Sequence, residues 1–138
     1  MKRLILLLML GVCFEVNAAE LVIQTQENTY LYQTDIADTV EKQQLGLMFQ
    51  KELPENYGMT FLFNKTSVLK MWMKNTYIPL DMIFFDEQGI IAHIHKNAEP
   101  FSEELISSKV PVKGVIEVIA GTVDEKNIQL GDKIKVNP

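Results

Sequence analysis

Three short runs, Phe61-Leu62-Phe63, Met82-Ile83-Phe84-Phe85 and Val115-Ile116-Glu117-Val118-Ile119, constrain this chain most, because in none of them does either alternating set of side chains read as a polar face. A strand sends successive side chains to opposite faces. Runs of this kind therefore need cover on both sides, from a helix, a second sheet or a closed barrel. The rest of the chain keeps strand periodicity. Leu21-Val22-Ile23 and Thr29-Tyr30-Leu31-Tyr32, separated by Gln26-Glu27-Asn28, read as a hairpin. Gly58 to Phe63 and Val68 to Lys74 read as two strands joined by a polar turn, Asn64-Lys65-Thr66-Ser67. Leu80 to Phe85 turns at Asp86-Glu87-Gln88-Gly89 into Ile90 to His95; a looser stretch with Pro100 and Pro111 follows, then Gly114 to Ala120 and Ile134-Lys135-Val136. One helix is expected from Thr39 to about Phe49, with Asp38 as N-cap and Glu41 closing a capping box. The expected fold is mainly β with some α: a compact barrel or strongly curved sheet carrying one or two short helices.

The N-terminus predicts export. Met1-Lys2-Arg3 is basic, Leu4 to Phe14 is apolar and well short of the ~20 residues that span a bilayer, and Val16-Asn17-Ala18 offers a signal-peptidase site. Residues 1–18 are read as a signal peptide and 19–138 as one β-rich domain, periplasmic or secreted, with no stable membrane insertion once the signal is removed. The only cysteine, Cys13, falls in the leader, where Val12 disfavours a lipobox. The mature domain therefore excludes disulfides, thiol catalysis and zinc–thiolate sites. A domain of roughly 120 residues buries enough surface to fold without them. The whole chain carries a net charge of −5 and becomes one charge more acidic when Lys2, Arg3 and Glu15 leave, with no cluster of Lys and Arg to meet a nucleic-acid backbone.

Several of these segments, in this order, resemble the domain of unknown function 192 family, also called UPF0127: Leu45-Gly46-Leu47-Met48-Phe49, Gly58-Met59 with Phe61-Leu62-Phe63, Trp72-Met73-Lys74-Asn75-Thr76, Ile78-Pro79-Leu80-Asp81, Gly114-Val115-Ile116-Glu117-Val118, Gly121 and Gly131-Asp132. The resemblance implies a small β-rich domain, often exported in bacteria, with no established activity. One departure is Ile106-Ser107, where an aromatic residue is expected before the serine.

Chemistry concentrates between Met71 and Phe85, where Lys74, Asn75, Thr76 and Asp81 stand among apolar residues. Polar groups so placed either satisfy a turn or face a ligand, since burying one without a partner costs roughly 2 to 7 kcal/mol. Along the Val68 to Lys74 strand, Leu69, Met71 and Met73 form the core side, leaving Trp72 between Lys70 and Lys74 as a stacking surface or as cover for their stems. Glu117 shares a strand face with Val115 and Ile119; it and Asp81 need partners or raised pKa values, with Lys74 or His95 available. The candidate ligand-binding set is Trp72, Lys74, Asn75, Thr76, Asp81 and Glu117, serving a binding or accessory module whose partner is an unidentified small molecule or protein; no cofactor is expected. Two other readings stay open. One is a hydrolase or lyase using Asp81, Glu117 and Lys74. The other is a copper-handling protein using His93 and His95, with Met59, Met71, Met73 or Met82 as thioether ligands. Ser102, Ser107 and Ser108 have no adjacent histidine, and Gly-x-Ser-x-Gly elbows and phosphate-cradling glycine loops are missing.

Overall fold

The computed structural model describes residues 18–138; the predicted leader, residues 1–18, lies outside them except for Ala18. Seven strands, β1 (Ala19–Gln24), β2 (Thr29–Ala37), β3 (Tyr57–Met71), β4 (Leu80–Phe85), β5 (Ile91–Ala98), β6 (Ile106–Ile119) and β7 (Lys133–Asn137), form one sheet in the order β5-β4-β6-β3-β2-β1-β7. Only β2 and β3 run parallel. Between them stands the short helix α1 (Val40–Leu45), and a second, α2 (Thr122–Glu125), follows β6. The sheet curls until its edges meet at one end. There Ile90 bridges Lys133 and the Ile91 N–H donates to the Asp132 carbonyl at 2.9 Å. The expected curved, barrel-like β fold with short helices is present. No helix among the described residues is long and apolar enough to cross a membrane.

The doubly apolar runs explain the curl. All six residues of β4 are buried, and β4 with β6 divides the interior in two. Leu80, Met82, Phe84 and Val115 belong to one cluster, with Phe61, Leu69, Met73 and Val112. Ile83, Phe85, Ile116 and Val118 belong to the other, with Leu21, Ile23 and Ile134. Gly114 permits the tightest approach: a Cβ there would collide with the Phe61 carbonyl and the Phe85 ring.

Local details depart from the sequence reading. The two strands expected at Gly58 to Phe63 and Val68 to Lys74 are one, because Asn64 to Ser67 does not reverse the chain. Those polar residues sit where the β3–β6 register slips between Leu62 and Ser67, a bulged, largely exposed stretch that needs no apolar pattern. The looser segment before Gly114 largely belongs to β6, whose irregularity is stapled by Ser108: its Oγ accepts from the Leu69 N–H at 2.9 Å and donates to the Val110 carbonyl at 2.7 Å. The first helix is capped by Thr39 rather than Asp38; the Thr39 Oγ accepts from the Lys42 N–H at 3.2 Å, while Asp38 lies 3.7 Å from the Lys42 ammonium. It ends at Leu45 because Gly46 takes a φ of 49° and packs against the Phe61 ring, where a Cβ would stand 3.2 Å from the ring edge.

Candidate functional site

Strand β3 ends at Met71, and the chain then turns through Trp72 to Pro79 into β4. The turn is held by backbone bonds that its polar residues make possible. Asn75 has a φ of 51°, a left-handed conformation that asparagine tolerates. Its carbonyl accepts from the Phe49 N–H at 2.9 Å, and the Thr76 carbonyl accepts from the Phe101 N–H at 3.1 Å. The buried Thr76 hydroxyl donates to the Lys74 carbonyl at 3.0 Å. Asn75 and Thr76 thus knit together the loop after α1, this turn and the loop after β5. Trp72, 42% exposed, lies beneath the Lys74 ammonium, 5.1 Å from the ring centre.

Beside this turn opens a cavity of about 500 Å³, bounded by α1 and its following turn, by Phe61, Phe63, Lys70 and Met71 of β3, by Trp72, Lys74, Asn75 and Thr76, and by Glu117. Its size falls within the range of small-molecule sites, and its walls combine apolar side chains with seven polar ones, Gln43, Gln44, Lys70, Lys74, Asn75, Thr76 and Glu117. Gln43 fixes α1 over it by donating to the carbonyls of Ala37 at 3.2 Å and Leu62 at 2.8 Å. Glu117 is the unusual member. It sits in the middle of the sheet, opposite Met59 on β3 and Met82 on β4, and is only 4% exposed. Among the described residues no donor reaches its carboxyl, and burial alone pushes its pKa up from 4.5 to about 8. Among the described residues no fully enclosed side-chain polar atom lacks a partner. The Glu117 oxygens therefore open onto cavity space.

Five of the six residues singled out in the sequence, Trp72, Lys74, Asn75, Thr76 and Glu117, line this one cavity. Asp81 does not, and its place in the set needs correcting. Its side chain belongs to the opposite face of β4, where Oδ1 accepts from the Asn97 N–H at 2.9 Å and Oδ2 from the N–H groups of Gly121 at 3.1 Å and Val123 at 3.0 Å. Those bonds tie β5 and the start of α2 to β4 and occupy both oxygens. Neither Lys74 nor His95 partners either acid. What sequence reasoning missed is the contribution of α1 and its turn to the wall, from Gln43 and Gln44 to Leu47 and Met48. The signal was available in a helix with polar residues on the side facing the sheet.

His93 and His95 face a different recess of about 360 Å³, with Asn97, Glu99, Ser102, Glu104, Ser107 and Lys109. Burial, then the charges of Lys109 and His95, hold the His93 pKa below the ordinary value. No methionine lines this recess; Met73 and Met82 are fully buried in the core and Met59 and Met71 pack against it. The thioether ligands of the copper reading do not gather at the histidines. Among the described residues no group of three or more His, Cys, Asp or Glu has the geometry of a metal site. A larger cavity of about 620 Å³ lies between Ala18, Ala19 and Pro138; it includes Met59 but none of the six candidate ligand-binding residues.

Comparison with known proteins places the chain. A solved structure from Sinorhizobium meliloti 1021, described as a proposed transcription regulator, is 37% identical, with a TM-score of 0.84 over 86% of this chain and 93% of the other. A protein of unknown function from Novosphingobium aromaticivorans DSM 12444 is 31% identical, with a TM-score of 0.83 over 86% of this chain and 84% of the other. No curated protein matches. The DUF192 model, described as an uncharacterized ACR, matches residues 21–136, nearly the whole described chain, and the protein belongs to that family.

Proposed function

We propose that the protein is an exported binding module that holds a small organic ligand in the cavity beneath α1, with Glu117 at its floor and Trp72, Lys74, Asn75 and Thr76 at its rim. The observation that carries this reading is the Glu117 carboxyl. A buried polar group without a partner is costly, and one that opens onto a cavity of ligand size has a use there that the fold itself does not supply. The basic start, apolar run and small residues of the leader support export, and the acid excess without a basic cluster gives no reason to extend a transcriptional role to this chain.

The hydrolase or lyase reading needs two carboxylates around one reacting centre. Asp81 and Glu117 occupy opposite faces of the sheet, and both Asp81 oxygens are engaged by backbone. The binding reading has the better geometry. Native mass spectrometry tests it: the full chain, expressed with its own leader and purified gently from the periplasm, is weighed under native and denaturing conditions. A retained small mass that disappears on denaturation, and is absent from the Trp72→Ala variant, is expected. A bare mass, in a protein that also fails to bind any compound in a metabolite extract, would overturn the reading. An N-terminus still at Met1 would overturn export.

A further inference from the structure

Resting on that binding reading, we infer that the cavity takes a small amphipathic organic anion, with its acidic head at Lys70 and Lys74, its apolar body against Phe61, Phe63, Met71 and Trp72, and an oxygen acceptor at its inner end facing Glu117. The charges of the wall carry this assignment. Among the described residues Lys70, Lys74 and Glu117 are its only charged side chains. The two lysines sit on the outer part, Lys70 exposed and Lys74 half-buried over Trp72, while Glu117 is at the floor. With Glu117 protonated, the wall carries two positive charges and no negative one, so its field favours an anion over a cation.

The floor fixes the other end of the ligand. A protonated carboxyl has one O–H to donate, and among the described residues no protein acceptor takes it. A carbonyl oxygen of the ligand, which accepts and cannot donate, supplies one. The elements around Glu117 hold no competing titrating group: β4 presents Met82 there and turns Asp81 to the far face, α1 and its turn present Gln43, Gln44, Leu47 and Met48, and β3 and the following turn contribute only the two lysines. Burial keeps the acid protonated up to about pH 8. Above that point an ionised Glu117 would face an oxygen lone pair and oppose the ligand's charge, so binding is strongest below it and declines through it.

Isothermal titration of the protein, purified after export of the full chain, with four probes sharing one chain length tests the assignment: 7-oxooctanoate, octanoate, octan-2-one and ω-aminooctanol, each at about pH 6 and about pH 9.5, on either side of the Glu117 transition. The expected order at the lower pH puts 7-oxooctanoate first, with loss of either end group weakening binding about tenfold, the equivalent of 1.4 kcal/mol. At the higher pH its affinity falls about tenfold or more. Glu117→Gln, which still offers an N–H donor but cannot ionise, is expected to bind at both pH values alike. The double variant Lys70→Gln with Lys74→Gln is expected to lose the preference for 7-oxooctanoate over octan-2-one. Tightest binding of ω-aminooctanol, strengthening at high pH, would overturn the ligand class while leaving a binding cavity in place. Binding of no probe at either pH would overturn this inference, and the native mass would separately decide the binding reading. Equal pH dependence in the wild type and Glu117→Gln would remove Glu117 from the contact.

Discussion

Asp81 and Glu117 are two buried carboxylates on neighbouring strands, one register step apart: Asp81 lies opposite Val118, and Met82 lies opposite Glu117. That single step puts them on opposite faces of the sheet. Asp81 is fully buried and accepts three backbone N–H bonds, two of them from the first turn of α2 and the Gly121 that precedes it, a helix whose own N-cap supplies no side-chain bond. Glu117 accepts none and has only burial acting on it. Burial alone therefore does not mark a functional acid; the supply of donors does. One carboxylate is spent on joining β4, β5 and α2, and the other remains available to something that is not protein.

The sharpest way to break this contrast is to remove Asp81. Asp81→Ala leaves three N–H donors without an acceptor, that of Val123 buried and those of Asn97 and Gly121 part-buried, each costing up to about 1 to 3 kcal/mol. A loss of at least about 3 kcal/mol in urea unfolding is expected. A loss below 1 kcal/mol would mean that water replaces the carboxylate and that the two acids differ less than the hydrogen bonds imply.

The next test uses pH. The Glu117 pKa is raised on folding, so between about 4.5 and about 8 the native state holds a proton that the unfolded chain has released. Stability is full below the lower value, falls as pH rises through this window, and levels off above about pH 8. The whole decline amounts to roughly 3 to 5 kcal/mol, from 1.36 kcal/mol per pKa unit. Glu117→Gln cannot ionise and should unfold with a much flatter dependence over the same window. Its stability above pH 8 should exceed that of wild type, the opposite of what Asp81→Asn does to a satisfied acid. Denaturant midpoints at several pH values check both signs. A bound anion of the inferred class would hold the proton in place and shift the decline to higher pH.

Much of this arrangement was legible in the sequence. The lack of a polar alternating face along β4 and β6 marked strands covered on both sides, and the polar residues after Met71 marked the turn that lines the cavity. The opposite fates of Asp81 and Glu117 were not legible, for a physical reason. Partners for Asp81 come from Asn97, Gly121 and Val123, backbone groups far along the chain that leave no side-chain signature. The cavity also depends on where α1 sits, which rests on two bonds from Gln43 to carbonyls of β2 and β3. The continuity of β3 across Asn64 to Ser67 was not legible for a related reason: turn-like residues also suit an exposed bulge, and only the partner strand distinguishes the two.

The smallest expected effect extends the comparison to the surface, where a satisfied polar group should matter less than Asp81 does. Thr39 caps α1 as Asp81 caps α2, but with one bond at an exposed site, its Oγ accepting from Lys42 N–H. Thr39→Ala should cost about 1 kcal/mol, within the 0.5 to 2 kcal/mol of helix caps. Asp38→Ala, which removes only an exposed ion pair 3.7 Å long, should stay within about 0.5 kcal/mol. The order Asp81, Thr39, Asp38 in paired unfolding curves would show that backbone donors, graded by burial, set the worth of each oxygen. If Asp38→Ala cost more than Thr39→Ala, Asp38 would be the cap in solution, α1 would begin one residue earlier, and the wall of the cavity over Glu117 would shift with it.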